Sequence, residues 1–153
     1  MRKCMLLCRA IFLTGSMLLL SGQVYSEPNI EDIAVIAGEQ FEVSELTFRE
    51  VRKIYLGYPL TKNGSLVVPF INKNDPALYE AFVRNVLLMS PKSYQRYLIS
   101  RVFQLGGKPP EIFLTPTELN DHLEGNRDSI TYIWFKDAEE RSDIRIVSHI
   151  QLD

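Results

Sequence analysis

The feature that most constrains the fold is a short apolar, β-branched run followed by a polar connection and a capped helix. The run covers residues 66–71 (Leu-Val-Val-Pro-Phe-Ile) and is typical of a strand that is buried on both faces. Asp75 directly precedes Pro76, which is the pattern of an N-cap residue with proline at the first helical position. The apolar face of the predicted helix is formed, at four-residue spacing, by Leu78, Phe82 and Val86.

The loop between this strand and this helix is the candidate ligand site. In open α/β sheets, ligands bind beyond the carboxyl ends of strands and close to helix N-termini. Lys73 and backbone N–H donors are the contacts that we expect any ligand to make. The candidate ligand-binding residues are Asn72, Lys73, Asn74 and Asp75.

The rest of the chain alternates strand and helix patterns. Strands are predicted at residues 33–37, 112–114, 130–135 and 144–147. Helices are predicted to begin after three cap residues, namely Thr47 (in a capping box with Glu50), Ser90 and Thr115. Loops are predicted at residues 58–64, 106–110 and 137–143. Such alternation implies a largely parallel sheet that is covered by helices.

The first 26 residues have the pattern of a secretory signal peptide. Basic residues at the front precede an apolar run at residues 10–20, and residues 24–26 are small or tolerated at a cleavage site. The apolar run is shorter than the roughly 20 residues that span a bilayer, and an uncleaved anchor is the alternative. We expect cleavage near Ser26, which leaves residues 27–153 as an exported domain that is not embedded in a membrane.

Charge and cysteine content narrow the function classes. The chain has 17 Lys and Arg against 19 Asp and Glu, and removal of the leader lowers the formal net charge from −2 to −5. A domain of that charge is not expected to bind nucleic acid. Both cysteines, Cys4 and Cys8, lie in the leader, so we expect no disulfide and no thiol chemistry in the mature domain.

Several segments are similar to phosphate-binding proteins, the periplasmic receptors of phosphate ABC transporters. Residues 46–57 (LTFREVRKIYLG) resemble the hydroxyl-capped helix ending in "IFLG" that opens the second lobe of those receptors, and residues 67–69 with 79–82 resemble the strand and helix that follow. Residues 103–110 are similar to the "F.G...PP" segment of short, single-lobe relatives, and residues 128–133 stand where the family has a "GAIGY"-like strand. The resemblance implies a single-lobe, type II periplasmic-binding-protein-like α/β domain, with a mixed, mostly parallel sheet flanked by helices, in a bacterial periplasm.

The phosphate loop of the family is altered in this chain. The resemblance implies an arginine and then Ser-Gly-Thr ahead of the helix, but the matching positions hold Asn72 and the tripeptide at residues 76–78, Pro-Ala-Leu. Asp75 is placed to accept the helix donors itself. At about 4 Å and an effective dielectric of about 20, its repulsion of an anion costs roughly 4 kcal/mol, more than the 0.3–1 kcal/mol or so that an exposed helix dipole contributes. Lys73 offsets part of that cost as a point charge.

No other motif predicts chemistry. Residues 106–108 (Gly-Gly-Lys) offer donors and a cation, but the two prolines that follow favour a rigid turn. His122 and His149 have no second ligand at metal spacing, and no G-x-S-x-G nucleophile elbow is present. Tyr132 and Trp134 share one side of a strand, where core packing is favoured over a groove lining. We therefore expect no enzyme, no metal and no cofactor.

Two functions remain open, with a hydrolase as a remote third. The first is a non-catalytic solute-binding-like protein with an altered anion site, whose partners would be phosphate or another small oxyanion and an ABC permease. The second is an envelope interaction module that reuses the fold to contact another protein and binds no small ligand.

Overall fold

The computed structural model describes residues 31–106 and 108–152. The predicted signal peptide lies outside the described residues. The strands are β1 (Ile33–Gly38), β2 (Thr61–Lys62), β3 (Ser65–Leu66), β4 (Val68–Asn72), β5 (Glu111–Phe113), β6 (Ser129–Trp134) and β7 (Ile144–Ile150). The helices are α1 (Phe48–Tyr55), α2 (Pro76–Asn85), α3 (Pro91–Leu105), α4 (Pro116–Gly125) and α5 (Phe135–Glu139).

Five strands form one mixed sheet in the order β5-β4-β6-β1-β7. Strand β4 is parallel to both β5 and β6, whereas β1 is antiparallel to β6 and to β7. Four strands therefore point in one direction and only β1 is reversed. The predicted mixed, mostly parallel sheet flanked by helices is confirmed.

Strand β1 divides the interior into two cores because both of its faces are buried. Ile33, Val35 and Ala37 point into a large core that also holds buried side chains of α1, α2 and α3. Ala34 and Ile36 point to the other face, where α4 and α5 supply Leu119, Leu123 and Ala138. Alternation of side chains along a strand produces this division, and it explains why every residue of β1 is apolar or glycine.

The helix starts are where the sequence predicts them. Asp75, Ser90 and Thr115 are the N-caps of α2, α3 and α4, and each side chain accepts a hydrogen bond from a backbone N–H in the first turn. Thr47 forms the predicted capping box with Glu50, whose Oε2 accepts from the Thr47 N–H at 2.7 Å. None of the helices in the described part of the chain is long and apolar enough to cross a bilayer.

The predicted strand at residues 66–71 is wrong in its start and in its burial. Leu66 belongs to a separate hairpin, in which β2 and β3 pair around Asn63 and Gly64. These two residues have φ of 54° and 86°, as a two-residue Asn-Gly hairpin turn requires. Strand β4 begins at Val68, which is 44% exposed, so only its second half is buried. The sequence predicts only a loop at residues 58–64, because the two strands of the hairpin are two residues long each.

The segment after β6 also differs from its prediction. Phe135 opens the short helix α5, although the strand was predicted to run through it and a loop to follow. The backbone N–H of Phe135 donates to the Asp32 carbonyl at 2.8 Å, so this residue contacts the chain before β1 rather than continuing the sheet. Strand β7 is three residues longer than predicted.

Helix α3 is attached to the end of α1 by three side-chain donors. The hydroxyl of Tyr94 donates to the Tyr55 carbonyl at 2.7 Å, and that of Tyr97 donates to the Leu56 carbonyl at 2.9 Å. One turn further, Arg101 donates to the Gly57 carbonyl at 3.0 Å. Carbonyls at a helix C-terminus have no partner within the helix, so these contacts supply partners from a neighbouring one.

Candidate functional site

The predicted ligand loop lies at the carboxyl ends of two parallel strands, β4 and β6. A small cavity of about 240 Å³ opens there, below the roughly 300–1,000 Å³ of typical small-molecule sites. Three of the four predicted residues line it, and Lys73 does not. The polar and aromatic lining comprises Asn72, Asn74, Asp75, Trp134 and Asp137. We call this cavity the α2 site.

Asp75 fills the anion position of the α2 site with its own carboxylate. Its Oδ1 accepts from the backbone N–H groups of Ala77 at 2.8 Å and Leu78 at 3.2 Å. Its Oδ2 accepts from the indole Nε1 of Trp134 at 2.8 Å. The first-turn donors that would attract an anion are thus engaged within the protein.

The charged form of Asp75 is stabilised by these contacts. Partial burial of the carboxyl would by itself raise its pKa, but the hydrogen bonds from Trp134, Leu78 and Ala77 outweigh that effect and hold the pKa below its ordinary value. The carboxylate is therefore ionised at neutral pH.

Asn72 joins two strands and has little capacity left for a ligand. It is 1% exposed, and its Nδ2 donates to the Tyr132 carbonyl at 3.0 Å while the Tyr132 hydroxyl donates to the Asn72 carbonyl at 3.0 Å. Its Oδ1 accepts from the Asn74 N–H at 3.1 Å. Buried polar groups need such partners, so the amide orders the loop.

Lys73 lies beside the α2 site and contacts an aromatic ring. Its ammonium is 4.6 Å from the centroid of the Tyr79 ring, within the range of a cation–π interaction. Its backbone N–H donates to the Phe113 carbonyl at 2.9 Å. None of the ion pairs between described residues involves Lys73.

The electrostatics of the α2 site disfavour anions. Among the described residues, two carboxylates, Asp75 and Asp137, line the cavity, and no basic side chain does so. An anion at about 4 Å from either carboxylate would meet a repulsion of roughly 4 kcal/mol at an effective dielectric of about 20. The helix N-terminus adds only about 0.3–1 kcal/mol in the opposite direction, so repulsion prevails.

A much larger depression lies at the opposite end of the strands, where β4, β5 and β6 begin. It has a volume of about 980 Å³ and is lined by the first residues of three strands, Val68, Glu111 and Ser129. Its walls include large apolar side chains that are close to half exposed, namely Tyr58, Leu66, Val68 and Ile112. We call this depression the apolar groove.

The apolar groove cannot be predicted from the sequence pattern, because its walls come from distant parts of the chain. Leu66 and Val68 were assigned to a buried strand, and their apolar character is the same in a core and in a groove. Pro109 and Pro110 also line the groove, and the predicted turn at these residues is the one local signal of an exposed wall there.

One polar pair that lines the groove resembles two members of a catalytic triad. Ser129 Oγ lies 3.4 Å from His122 Nε2, at the long end of hydrogen-bond distances. The imidazole packs against the rings of Phe70 and Phe113, at centroid distances of 4.8 and 4.9 Å. No side chain within the described ranges bonds to the other imidazole nitrogen, so the orienting acid of a triad is not in place.

The other residues considered from the sequence, Tyr132, Trp134 and His149, pack against or bond to side chains of the domain. Tyr132 is buried, and its ring stacks on that of Phe82 at 3.7 Å, so its predicted core role is confirmed. Trp134 is half-buried and faces the α2 site, a placement that the alternation of the strand alone did not settle. His149 bonds Asp32 at 2.9 Å and stacks on Phe135. Across residues 31–106 and 108–152, no three His, Cys, Asp or Glu side chains come together as metal ligands.

One solved structure of another protein supports the fold. No family model and no curated protein matches the sequence. Among solved structures, the chain is similar to a protein from Clostridium perfringens described as a phosphate ABC transporter substrate-binding protein with bound phosphate, with a TM-score of 0.56 and 18% identity over 77% of this chain and 44% of that one. It also matches an ABC-type phosphate transport receptor from Vibrio cholerae, with a TM-score of 0.46 and 12% identity over 77% of this chain and 46% of the receptor. The chain spans less than half the length of either structure, and at these identities the likeness concerns the fold alone.

Proposed function

We propose that this protein is a non-catalytic, periplasmic, solute-binding-like protein in which the anion site is altered, and that it acts as an interaction module of the cell envelope. In this role it contacts another protein and does not carry phosphate. Residues 1–26 would direct export, and residues 27–153 would form the mature domain.

The bonding of Asp75 carries this proposal. The carboxylate accepts two first-turn N–H groups of α2 and the indole N–H of Trp134. An incoming oxyanion would have to displace a charge-assisted contact from each of these donors and would then lie beside Asp137. Both costs act against the binding of phosphate or another small oxyanion at the α2 site.

The apolar groove, which lies at the opposite end of the strands from the α2 site, also supports the interaction role. A large contiguous patch of exposed apolar side chains on a folded domain often marks a site where another protein binds. Single exposed apolar residues are common on protein surfaces and need no explanation. In this chain, however, four half-exposed apolar side chains lie together around one concave surface.

A second candidate function is the binding of phosphate or another small oxyanion, in partnership with an ABC permease. The ammonium of Lys73 supports it, because this group lies next to the loop and forms no ion pair with a described carboxylate. The contact would then be the Lys73 ammonium, with the anion outside the Asp75 carboxylate, because the N–H groups of Lys73 and Asn74 already donate to the Phe113 carbonyl and to Asn72 Oδ1.

A calorimetric titration of the mature protein separates the two candidates. Phosphate, sulfate and small carboxylates are titrated into the wild type, into Lys73→Ala and into Lys92→Ala, whose lysine is exposed on α3. The proposed function predicts the heat of dilution alone for every anion in all three proteins. Saturable heat in the wild type and in Lys92→Ala that is lost in Lys73→Ala would overturn it in favour of the oxyanion receptor.

A further inference from the structure

The charges around the apolar groove are balanced. Lys108 and Arg127 line it together with Glu111 and Asp128, and all four residues are exposed. Because both signs are present in equal number, each cation of this surface can pair with an anion of a second copy. The chain as a whole carries net negative charge, so two copies repel each other less at this neutral surface than elsewhere.

Helix α3 carries an apolar stripe that nothing in the described chain covers. Ile99 and Phe103 are one helical turn apart and are 50% and 85% exposed, which makes Phe103 the most exposed large apolar residue described. The opposite side of the helix holds Tyr94, Tyr97 and Arg101, which bond the end of α1. The stripe therefore points away from the domain.

The stripe and the groove belong to neighbouring parts of the molecule. Arg101 stacks on the ring of Tyr58 at 4.4 Å, and Tyr58 lines the groove. Helix α3 ends at Leu105, and Lys108 is already a groove residue. Together the stripe and the groove contain six of the ten large apolar side chains that are exposed among the described residues.

We propose that the apolar groove receives a second copy of this chain, with the α3 stripe as the inserted element. The inference rests on the proposed interaction role and names the partner. Two inserted Phe103 rings bury about 300–500 Å², so most of the roughly 1,200–2,000 Å² of a specific interface has to come from the groove walls around them. The association is therefore weak and depends on concentration.

Sedimentation equilibrium of the mature protein over a wide concentration series tests this proposal. The wild type is expected to change from monomer to dimer mass as concentration rises. Phe103→Ser removes the inserted ring and should weaken dimerisation at least roughly tenfold, as truncation of an aromatic anchor does. Phe48→Ser is the matched control, because Phe48 is also an exposed phenylalanine on a helix but does not line the groove.

Charge variants at the rim test the self-complementarity separately. Arg127→Glu gives the rim a net negative charge and should weaken dimerisation, and the double variant Arg127→Glu with Glu111→Lys restores the balance and should recover most of it. The side chains replaced in these variants (Phe48, Phe103, Glu111 and Arg127) are all exposed, so the thermal midpoints of the variants should stay unchanged. Monomer mass at every wild-type concentration would overturn the second-copy proposal, as would equal effects of Phe103→Ser and Phe48→Ser. The anion titration above is independent of both results.

Discussion

The indole Nε1 of Trp134 donates to Oδ2 of Asp75 at 2.8 Å, across 59 residues of sequence. The contact joins the last residue of β6 to the N-cap of α2. It satisfies the second oxygen of a carboxylate whose first oxygen already caps the helix. One side chain therefore caps the helix and another holds that side chain in place, so the Asp75 carboxylate occupies the anion position of the α2 site.

Trp134→Phe removes this donor and keeps an aromatic ring. A hydrogen bond to a charged group contributes about 1.5–3 kcal/mol, and partial exposure places this one at the lower end. We expect a loss of about 1–2 kcal/mol in the free energy of unfolding, measured by circular dichroism in urea. An unchanged unfolding free energy would show that the indole does not hold the Asp75 carboxylate.

The pH dependence of stability should report the same carboxylate. The folded-state pKa of Asp75 is held below its ordinary value of 3.8, so its contribution is fully present above that value and is lost as pH falls through the folded pKa. Asn is also a good N-cap, so Asp75→Asn removes the charge and keeps the cap. We expect the wild type to be the more stable protein at neutral pH, and the difference in thermal midpoint to shrink below about pH 4. A difference that stays constant down to low pH would contradict the assignment.

The attachment of α3 to α1 predicts which of two substitutions lowers the free energy of unfolding more. Burial raises the pKa of the Tyr94 hydroxyl well above its ordinary value, and its bond to the Tyr55 carbonyl is buried. Tyr94→Phe should cost about 1–3 kcal/mol because a buried acceptor loses its partner. Tyr97→Phe should cost less, since its hydroxyl is only partly buried and water can replace it. Urea unfolding of both variants checks the order, and an equal or reversed order would contradict it.

The local signals of this chain were sufficient for most of the fold. Cap residues act on backbone groups within three residues, so Thr47, Asp75, Ser90 and Thr115 located four helix starts without tertiary information. The buried strand at residues 33–37 was recognised because it is apolar on both faces. The hairpin around Asn63 and Gly64 was missed because two-residue strands give too little alternation to detect.

The sites could be predicted only in part. The chain order placed residues 72–75 at a strand end, and the proline after Asp75 identified the cap. The partner of its second oxygen could not be predicted, because the contact with Trp134 requires β4 and β6 to be neighbours in the sheet. The apolar groove depends on four separate segments meeting at one edge, and no sequence period reports such a meeting.

Two glycines predict opposite effects of the same substitution. A Cβ at Gly38 would lie 2.4 Å from the Leu123 carbonyl oxygen, so Gly38→Ala forces β1 and α4 apart and should cost about 1–3 kcal/mol. Gly125 ends α4 and has open space around its Cβ position. Gly125→Ala should therefore be neutral or stabilise by up to about 1 kcal/mol. Thermal unfolding of both variants tests the contact between β1 and α4, and a tolerated alanine at Gly38 would show that it is loose.

The closure of the α2 site by Asp75 is tested most directly by the fluorescence of Trp134 during a phosphate titration, with sodium chloride of equal ionic strength as the reference. Trp134 is the only tryptophan of the chain and lines the α2 site, so its emission reports on that site alone. The variant Asp75→Gly with Asp137→Asn removes both carboxylates that line the cavity, and glycine is tolerated at the N-cap position. We predict no phosphate-specific change in the wild type and a saturable change in this double variant, because it frees the two first-turn N–H groups and the indole N–H and removes the repulsion. A saturable change in the wild type, at least as strong as that in the double variant, would contradict the account.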